Sequence, residues 1–273
     1  MNYRHIYHAG NFADVVKHII LIHIIQELNK KDSTYTILDA FAGIGIYDLS
    51  SAESQKTLEY LHGINKLLEY KDKKLPPVIE TYLNLIKNLN ENTYPGSPTI
   101  ISSTIRNSDK LIASELHPQD YATLKYNMRK FSNTAVHLLD GYNAMKAFLP
   151  PQTTRGLVFL DPAFEKTDEF DKLIEALKFI RKRFFAGITM IWYPIKTKKE
   201  VEKFYQDLKT TGYPEFIKIE FGIKELSVGM RKCGVLISNP PHIINSLNDS
   251  LKFLSDEIYK GNAEVLVEQI SNL

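Results

Sequence analysis

Tyr35-Thr36-Ile37-Leu38-Asp39-Ala40-Phe41-Ala42-Gly43-Ile44-Gly45 is a short β-favouring run that halts on a carboxylate and opens into a loop with two glycines. It predicts the first strand of a sheet and the turn that follows it. Upstream, Val15, Val16, Ile19, Ile20, Ile22, Ile24, Ile25 and Leu28 recur at helical spacing, which predicts a buried helix from Asn11 to Leu28. Downstream, three more runs end in the same way: Lys110 to Ser114 on Glu115, Ala135 to Leu139 on Asp140, and Gly156 to Leu160 on Asp161. Further strands are expected at Gly187 to Tyr193, Phe216 to Phe221 and Gly234 to Ser238. Strands alternating with crossovers predict an α/β fold with a mostly parallel sheet, helices on both faces, and a ligand site beyond the carboxyl ends of the strands. Asp39, Glu115, Asp140 and Asp161 should converge there. Four carboxylates at one edge would repel a phosphate dianion, which argues against a nucleotide polyphosphate.

The alternation breaks between residues 52 and 105. Leu58, Leu61, Ile64, Leu67 and Leu68 make one helical stripe, and Ile79, Tyr82, Leu83, Ile86 and Leu89 make another. Tyr94-Pro95-Gly96-Ser97-Pro98 then forms a rigid turn ahead of the apolar run Ile100 to Ile105. We therefore expect a core made of residues 1–51 and 106–273 with a helical insertion at 52–105.

Of the 273 residues, 44% are hydrophobic and 24% charged, a balance that excludes disorder as the main state. Thirty-four Lys and Arg against 32 Asp and Glu give a net charge of +2, so an anionic partner must be held by a local basic face. A single cysteine, Cys233, can form neither an internal disulfide nor a Cys-rich metal cage, which suits a reducing compartment and predicts a cytoplasmic protein. No stretch approaches the roughly 18 uncharged apolar residues of a spanning helix, and the amino terminus lacks the layout of an export signal.

The Gly43-Ile44-Gly45 loop lacks the third glycine of a dinucleotide fingerprint, since Asp48 stands in its place. Glu115, ending the next strand, suits the two hydroxyls of a ribose, although a helix N-terminal charge is a competing role. Asp140-Gly141 can accept from an exocyclic amine while the glycine admits a ring; alone, it reads as a turn. Most informative is Leu157-Val158-Phe159-Leu160-Asp161-Pro162-Ala163-Phe164, which delivers a carboxylate, a proline carbonyl and an aromatic ring together at a strand end. Asp161 and the Pro162 carbonyl can both accept from an NH2 group, aiming its nitrogen lone pair at an electrophile, while Phe164 stacks on the base.

Together these strings resemble the S-adenosylmethionine-dependent methyltransferases that act on amino nitrogens of nucleic-acid bases. More narrowly, the chain resembles the bacterial RlmJ family of 23S rRNA adenine-N6 methyltransferases. The resemblance rests on Tyr3-Arg4-His5, His8-Ala9-Gly10-Asn11, Ala13-Asp14-Val15, Lys17-His18, Tyr94-Pro95-Gly96-Ser97-Pro98, Glu115-Leu116-His117-Pro118, Trp192-Tyr193-Pro194 and Asn239-Pro240-Pro241. It implies a Rossmann-like class I methyltransferase sheet of seven strands, acting as a monomer on 23S rRNA at the adenine numbered 2030 in the usual rRNA numbering. His18, Ser97, Glu115, Asp140, Gly141 and Asp161 match the family's cofactor contacts, with Phe41 and Gly43 placed beside the same cofactor. Asp161, with Pro162 and Phe164, matches the catalytic loop; Tyr3, Arg4, His5 and Lys17 are expected at the RNA entrance with Phe164. S-adenosylmethionine is the implied cofactor, S-adenosylhomocysteine the product, and no metal is implied. Two departures matter: Ala163 replaces a second proline, and Phe41 stands where relatives can have a histidine.

Other readings stay open on sequence alone. A DNA adenine-N6 methyltransferase would use the same chemistry, and a non-catalytic RNA-binding module could keep the fold. A nicotinamide oxidoreductase is disfavoured by Asp48. Histidines 5, 8, 18 and 23 lack any metal-ligand spacing. Between Lys178 and Lys203, eight basic residues stand against two acidic ones, which suits either a phosphate-contacting face or a solvated one.

Overall fold

Asn11 caps the first long helix, its side chain accepting from the Asp14 N–H, and the helix then runs over Phe12–Asn29 (α1). The computed structural model describes residues 3–71, 74–226 and 229–271. The chain continues through Tyr35–Asp39 (β1), Ile46–Asp48 (β2), Ala52–Thr57 (α2), Ile64–Leu68 (α3), Pro77–Lys87 (α4), Thr93–Pro95 (β3) and Ser97–Thr104 (α5). Next come Lys110–Glu115 (β4), Pro118–Met128 (α6), Thr134–Leu138 (β5), Gly141–Phe148 (α7), Arg155–Leu160 (β6), Glu169–Arg183 (α8) and Ile188–Pro194 (β7). Lys198–Asp207 (α9), Glu215–Ile223 (β8), Lys232–Ser238 (β9), Ile244–Phe253 (α10) and Ala263–Ser271 (β10) complete it.

The main sheet has the order β10-β8-β9-β7-β6-β1-β4-β5. β5, β4, β1, β6 and β7 are parallel, while β9 lies antiparallel between β7 and β8. All seven strands expected from the sequence form. β10 is an eighth that the sequence reading did not flag: it pairs along its whole length with β8, yet only Ala263 is buried and its apolar stretch, Val265 to Val267, is short.

β1 is buried at every residue because neighbours cover both its edges and both its faces, which is why it reads as a continuous apolar run instead of an alternating one. Side chains on its two faces enter two separate cores. Ile37, Leu157, Phe159 and Met190 pack toward α1, whereas Leu38, Val158, Leu160 and Ile191 join Leu173, Leu177 and Ile180 of α8. α1 is apolar on every side because it is enclosed by α4, α5, α10 and β9.

Between β2 and β4 the chain runs through four helices, and the antiparallel β2–β3 ladder, with Tyr47 opposite Tyr94, closes that excursion at its base. The apolar run Ile100 to Ile105 forms most of α5, with Pro98 in its first turn, and this helix packs on α1 and β4.

The register places Asp39 level with Ala113 of β4 and Phe159 of β6, each two residues short of an acidic strand end. From β1 the chain builds outward to β4 and β5 on one side, then returns to β6 and β7 on the other. β1 therefore flanks the point where strand order reverses, and a crevice opens there beyond the carboxyl ends.

Candidate functional site

The crevice is a cleft of about 460 Å³. Its walls include Asp161, Pro162 and Phe164; His18, Phe41, Gly43, Ser97, Glu115, Asp140 and Gly141; and Tyr3, Arg4, His5 and Lys17. These residues come from seven separate stretches of chain and are brought to one place; Asp39, expected at the same edge, is instead buried beneath it.

The loop after β1 needs its glycines. Gly43 has φ +62°, and a Cβ there would lie 2.2 Å from the Tyr47 hydroxyl, so no other residue fits without displacing that ring. Its N–H donates to Glu115 Oε2 at 3.0 Å, and the His117 N–H donates to Oε1 at 2.7 Å. Two backbone donors therefore fix the Glu115 carboxylate at the cleft wall while each oxygen keeps a lone pair. Burial raises its pKa. On the far wall Asp140 caps α7, accepting from the Asn143 N–H, and the Phe41 ring covers Gly141: a Cβ at 141 would meet that ring at 2.6 Å and the Ala40 carbonyl at 2.5 Å.

Below the loop, Asp39 is fully buried and accepts from Ser97 Oγ at 2.7 Å, while its Oδ1 has no hydrogen-bond partner of good geometry among the described residues. Burial pushes its pKa up to about 7. His18, also buried, has its Nδ1 2.8 Å from the Tyr94 hydroxyl; burial pushes its pKa down to about 3, so the ring is neutral at ordinary pH.

The end of the cleft around Asp161 is built on a charge the sequence reading had placed at the RNA entrance. Lys17 does line the cleft, but its ammonium sits 2.5 Å from Asp161 Oδ2 and 2.7 Å from Asp14 Oδ1, above the Trp192 ring at 5.6 Å. Burial alone would lower the Lys17 pKa; the two carboxylates outweigh it and hold the ammonium charged. Burial would likewise raise Asp14, and the His5 ring and Lys17 more than reverse it, so Asp14 stays well below the usual carboxylate range. Asp14 also accepts from the Gly10 N–H at 2.9 Å. His5 Nε2 is 2.9 Å from Asp14 Oδ2, and His5 Nδ1 is 2.9 Å from the Tyr3 hydroxyl. The ring donates to the carboxylate, so one line of hydrogen bonds joins Tyr3, His5, Asp14, Lys17 and Asp161. The Tyr3 N–H reaches Glu165 Oε1 at 2.7 Å, strapping the first described residues across the mouth.

Phe164 has φ +51°, a left-handed conformation that an L-residue adopts at a cost of about 1 kcal/mol or more. Its ring stands edge-on to Phe170 at 5.1 Å and Trp192 at 6.2 Å, which holds it at the mouth. Arg4 lies 3.5 Å from Glu53 at the outer edge.

Asp14 and Glu165 were missed by the sequence reading. A signal for Asp14 existed: an acid and a base three residues apart inside a helix otherwise apolar on all sides. The basic stretch 178–203 divides in two. Arg181 and Arg183 tie down the carbonyls of Gly212 and Leu149, and Lys178 and Lys203 pair with Glu175 and Asp171. Lys196, Lys198 and Lys199 are exposed beyond the carboxyl end of β7, on the cleft side. Among the described residues, no group of three or more His, Cys, Asp or Glu is placed to hold a metal ion, and no helix is long and apolar enough to cross a membrane.

This strand order, with its acidic crevice at the switch point, defines a Rossmann-like class I methyltransferase. The sequence model of the family described as "Ribosomal RNA large subunit methyltransferase D, RlmJ" matches residues 32–270, and the chain belongs to that family. Two proteins named ribosomal RNA large subunit methyltransferase J are similar to it. The one from Haemophilus influenzae is 36% identical over 99% of each chain, and that from Escherichia coli K12 is 36% identical over 94% of each. A crystal structure of a Legionella pneumophila protein, 33% identical, covers 96% of this chain and 98% of its own with a TM-score of 0.87.

Proposed function

We propose that this chain is a 23S rRNA (adenine-N6) methyltransferase that acts as a monomer on adenine 2030 of the usual rRNA numbering, with S-adenosylmethionine as methyl donor. Membership of the family supports an rRNA methyltransferase. The observation that carries the finer reading is the Lys17–Asp161 contact at the cleft mouth, which occupies Oδ2 of Asp161 and leaves Oδ1, with the Pro162 carbonyl, to accept from an exocyclic amine.

The residues present fit that cofactor. Glu115, held by two backbone donors, has lone pairs for a ribose diol; Asp140 offers an acceptor for a purine amine, with the Phe41 ring beside it; His18 offers a neutral ring to the amino-acid end. When bound, S-adenosylmethionine supplies an activated methyl group on sulfonium sulfur. The chain's task is then alignment of the base more than acid–base strength. Positioning of this kind supplies about 7 to 11 kcal/mol in favourable cases. A preorganised acceptor adds about 3 to 4 kcal/mol by analogy with oxyanion-hole donors. Asp161 acts first as an orienter of the amine and second as the acceptor of its proton, and Lys17 keeps the carboxylate turned toward the mouth. The target adenine must leave its stack at a cost of a few kcal/mol. Stacking on Phe164, worth about 1 to 3 kcal/mol, offsets much of that. Lys196, Lys198 and Lys199 supply charge for the flanking phosphates.

Mass mapping of methylated adenine in 23S rRNA, from cells with and without this protein, tests the proposal. One N6-methyladenine fragment should vanish with the protein. An unchanged rRNA map, or methylation that falls on duplex DNA instead, overturns it.

A further inference from the structure

Behind His18, away from the cleft, lies a chain of buried hydroxyls. The His18 ring stacks on Tyr94 with centroids 5.6 Å apart and meets Tyr82 edge-on at 6.2 Å. His18 Nδ1 is 2.8 Å from the Tyr94 hydroxyl, which is 2.7 Å from the Tyr82 hydroxyl. Both tyrosines are wholly buried and neither lines the cleft, whereas His18 does.

Counting protons decides the direction of this chain. Each hydroxyl carries one proton and the neutral ring carries one. If Tyr82 donates to Tyr94 and Tyr94 donates to Nδ1, both hydroxyl protons have an acceptor, and the ring proton sits on Nε2, the nitrogen left for the cleft. In the reverse direction Nδ1–H donates to Tyr94 and Tyr94 to Tyr82. The Tyr82 proton is then left in the core with no acceptor among the described residues, an arrangement that folded proteins avoid.

We propose that Tyr94, with Tyr82 donating to its oxygen, is a positioning residue that fixes His18 as its Nε2–H tautomer, so that the cleft is offered a rigid donor matched to the carboxylate at the amino-acid end of the cofactor. The ligand half of this inference rests on the cofactor reading given above; the tautomer half does not. Burial of His18 keeps the ring neutral, so its hydrogen bonding, not its charge, is what the relay sets. Tyr82 belongs to α4 and Tyr94 to β3, both within the excursion between β2 and β4. The relay gives these two tyrosines a role at the cofactor site without a contact to the cofactor.

The test uses the full chain labelled with ¹⁵N-histidine, without ligand, and reads the two ring nitrogens of His18 by long-range ¹⁵N–¹H correlation. Nδ1 should appear unprotonated and Nε2 protonated. Tyr82→Phe keeps the Tyr94 hydroxyl, whose proton then has Nδ1 as its one acceptor among the described residues, and should leave the Nε2–H tautomer in place. Tyr94→Phe should lose the preference and weaken S-adenosylhomocysteine binding by about tenfold, the size expected for loss of one oriented hydrogen bond. A wild-type His18 protonated on Nδ1, or a Tyr94→Phe spectrum identical to wild type, overturns the relay. His18→Ala is the separate control: unchanged S-adenosylhomocysteine affinity there would remove the cofactor reading of His18 while leaving the tautomer assignment standing.

Discussion

Asp161 is half of a buried ion pair whose other half, Lys17, lies 144 residues away in the chain. Replacing Lys17 with Met would leave the carboxylates of Asp14 and Asp161 without their shared cation. We expect a loss of about 2 to 4 kcal/mol in denaturant unfolding, at or below the range for breaking a buried pair because Asp161 keeps an edge in the cleft. A loss below about 0.5 kcal/mol would mean that Lys17 is not held as described. Phe164→Ala should weaken the adenine complex by about 1 to 3 kcal/mol in RNA titrations and leave S-adenosylhomocysteine affinity unchanged. If cofactor affinity alone fell, the ring would belong to the cofactor's wall. The acidic strand ends were legible in the sequence because a buried apolar run that stops on a carboxylate marks both a strand and the edge it points to. The pairing of Asp161 with Lys17 was not, because contacts made through folding across so many residues leave no periodicity to read.

α1 was readable from its spacing, and its burial on all sides explains why polar residues within it carry specific roles. His23 is one of them: it sits against α10, with Nε2 3.0 Å from Ser250 Oγ, and burial pushes its pKa down to about 4. A folded-state pKa below the ordinary 6.5 means that the unfolded chain takes up the proton first as pH falls. The resulting penalty on folding is absent at pH 7, begins near 6.5 and grows until the pH reaches the folded value. Between pH 7 and pH 5, wild type should therefore lose about 2 kcal/mol more stability than His23→Gln. Equal losses in the two proteins would show that the ring is not desolvated as it stands here. β10, by contrast, escaped the sequence reading because its apolar residues neither alternate nor form a long run, while one edge and most of its surface stay exposed. Only pairing with β8 makes it a strand.

At the scale of the molecule, the sheet carries Glu115, Asp140 and Asp161 to one crevice with Asp39 buried beneath it, α1 brings a lysine and a histidine up from beneath, and the first described residues strap the mouth through Glu165. The fold class was open to sequence reasoning because alternation of strands and crossovers is a whole-chain pattern. The division of labour among the basic residues was not, since Arg181 and Lys199 differ in what surrounds them and not in composition. The most direct test of the account is single-turnover methyl transfer to 23S rRNA by wild type and Asp161→Ala, with S-adenosylhomocysteine affinity measured on the same preparations. Asp161→Ala should slow transfer by about a hundredfold or more while affinity changes by less than about tenfold. Equal transfer rates in the two proteins would contradict it.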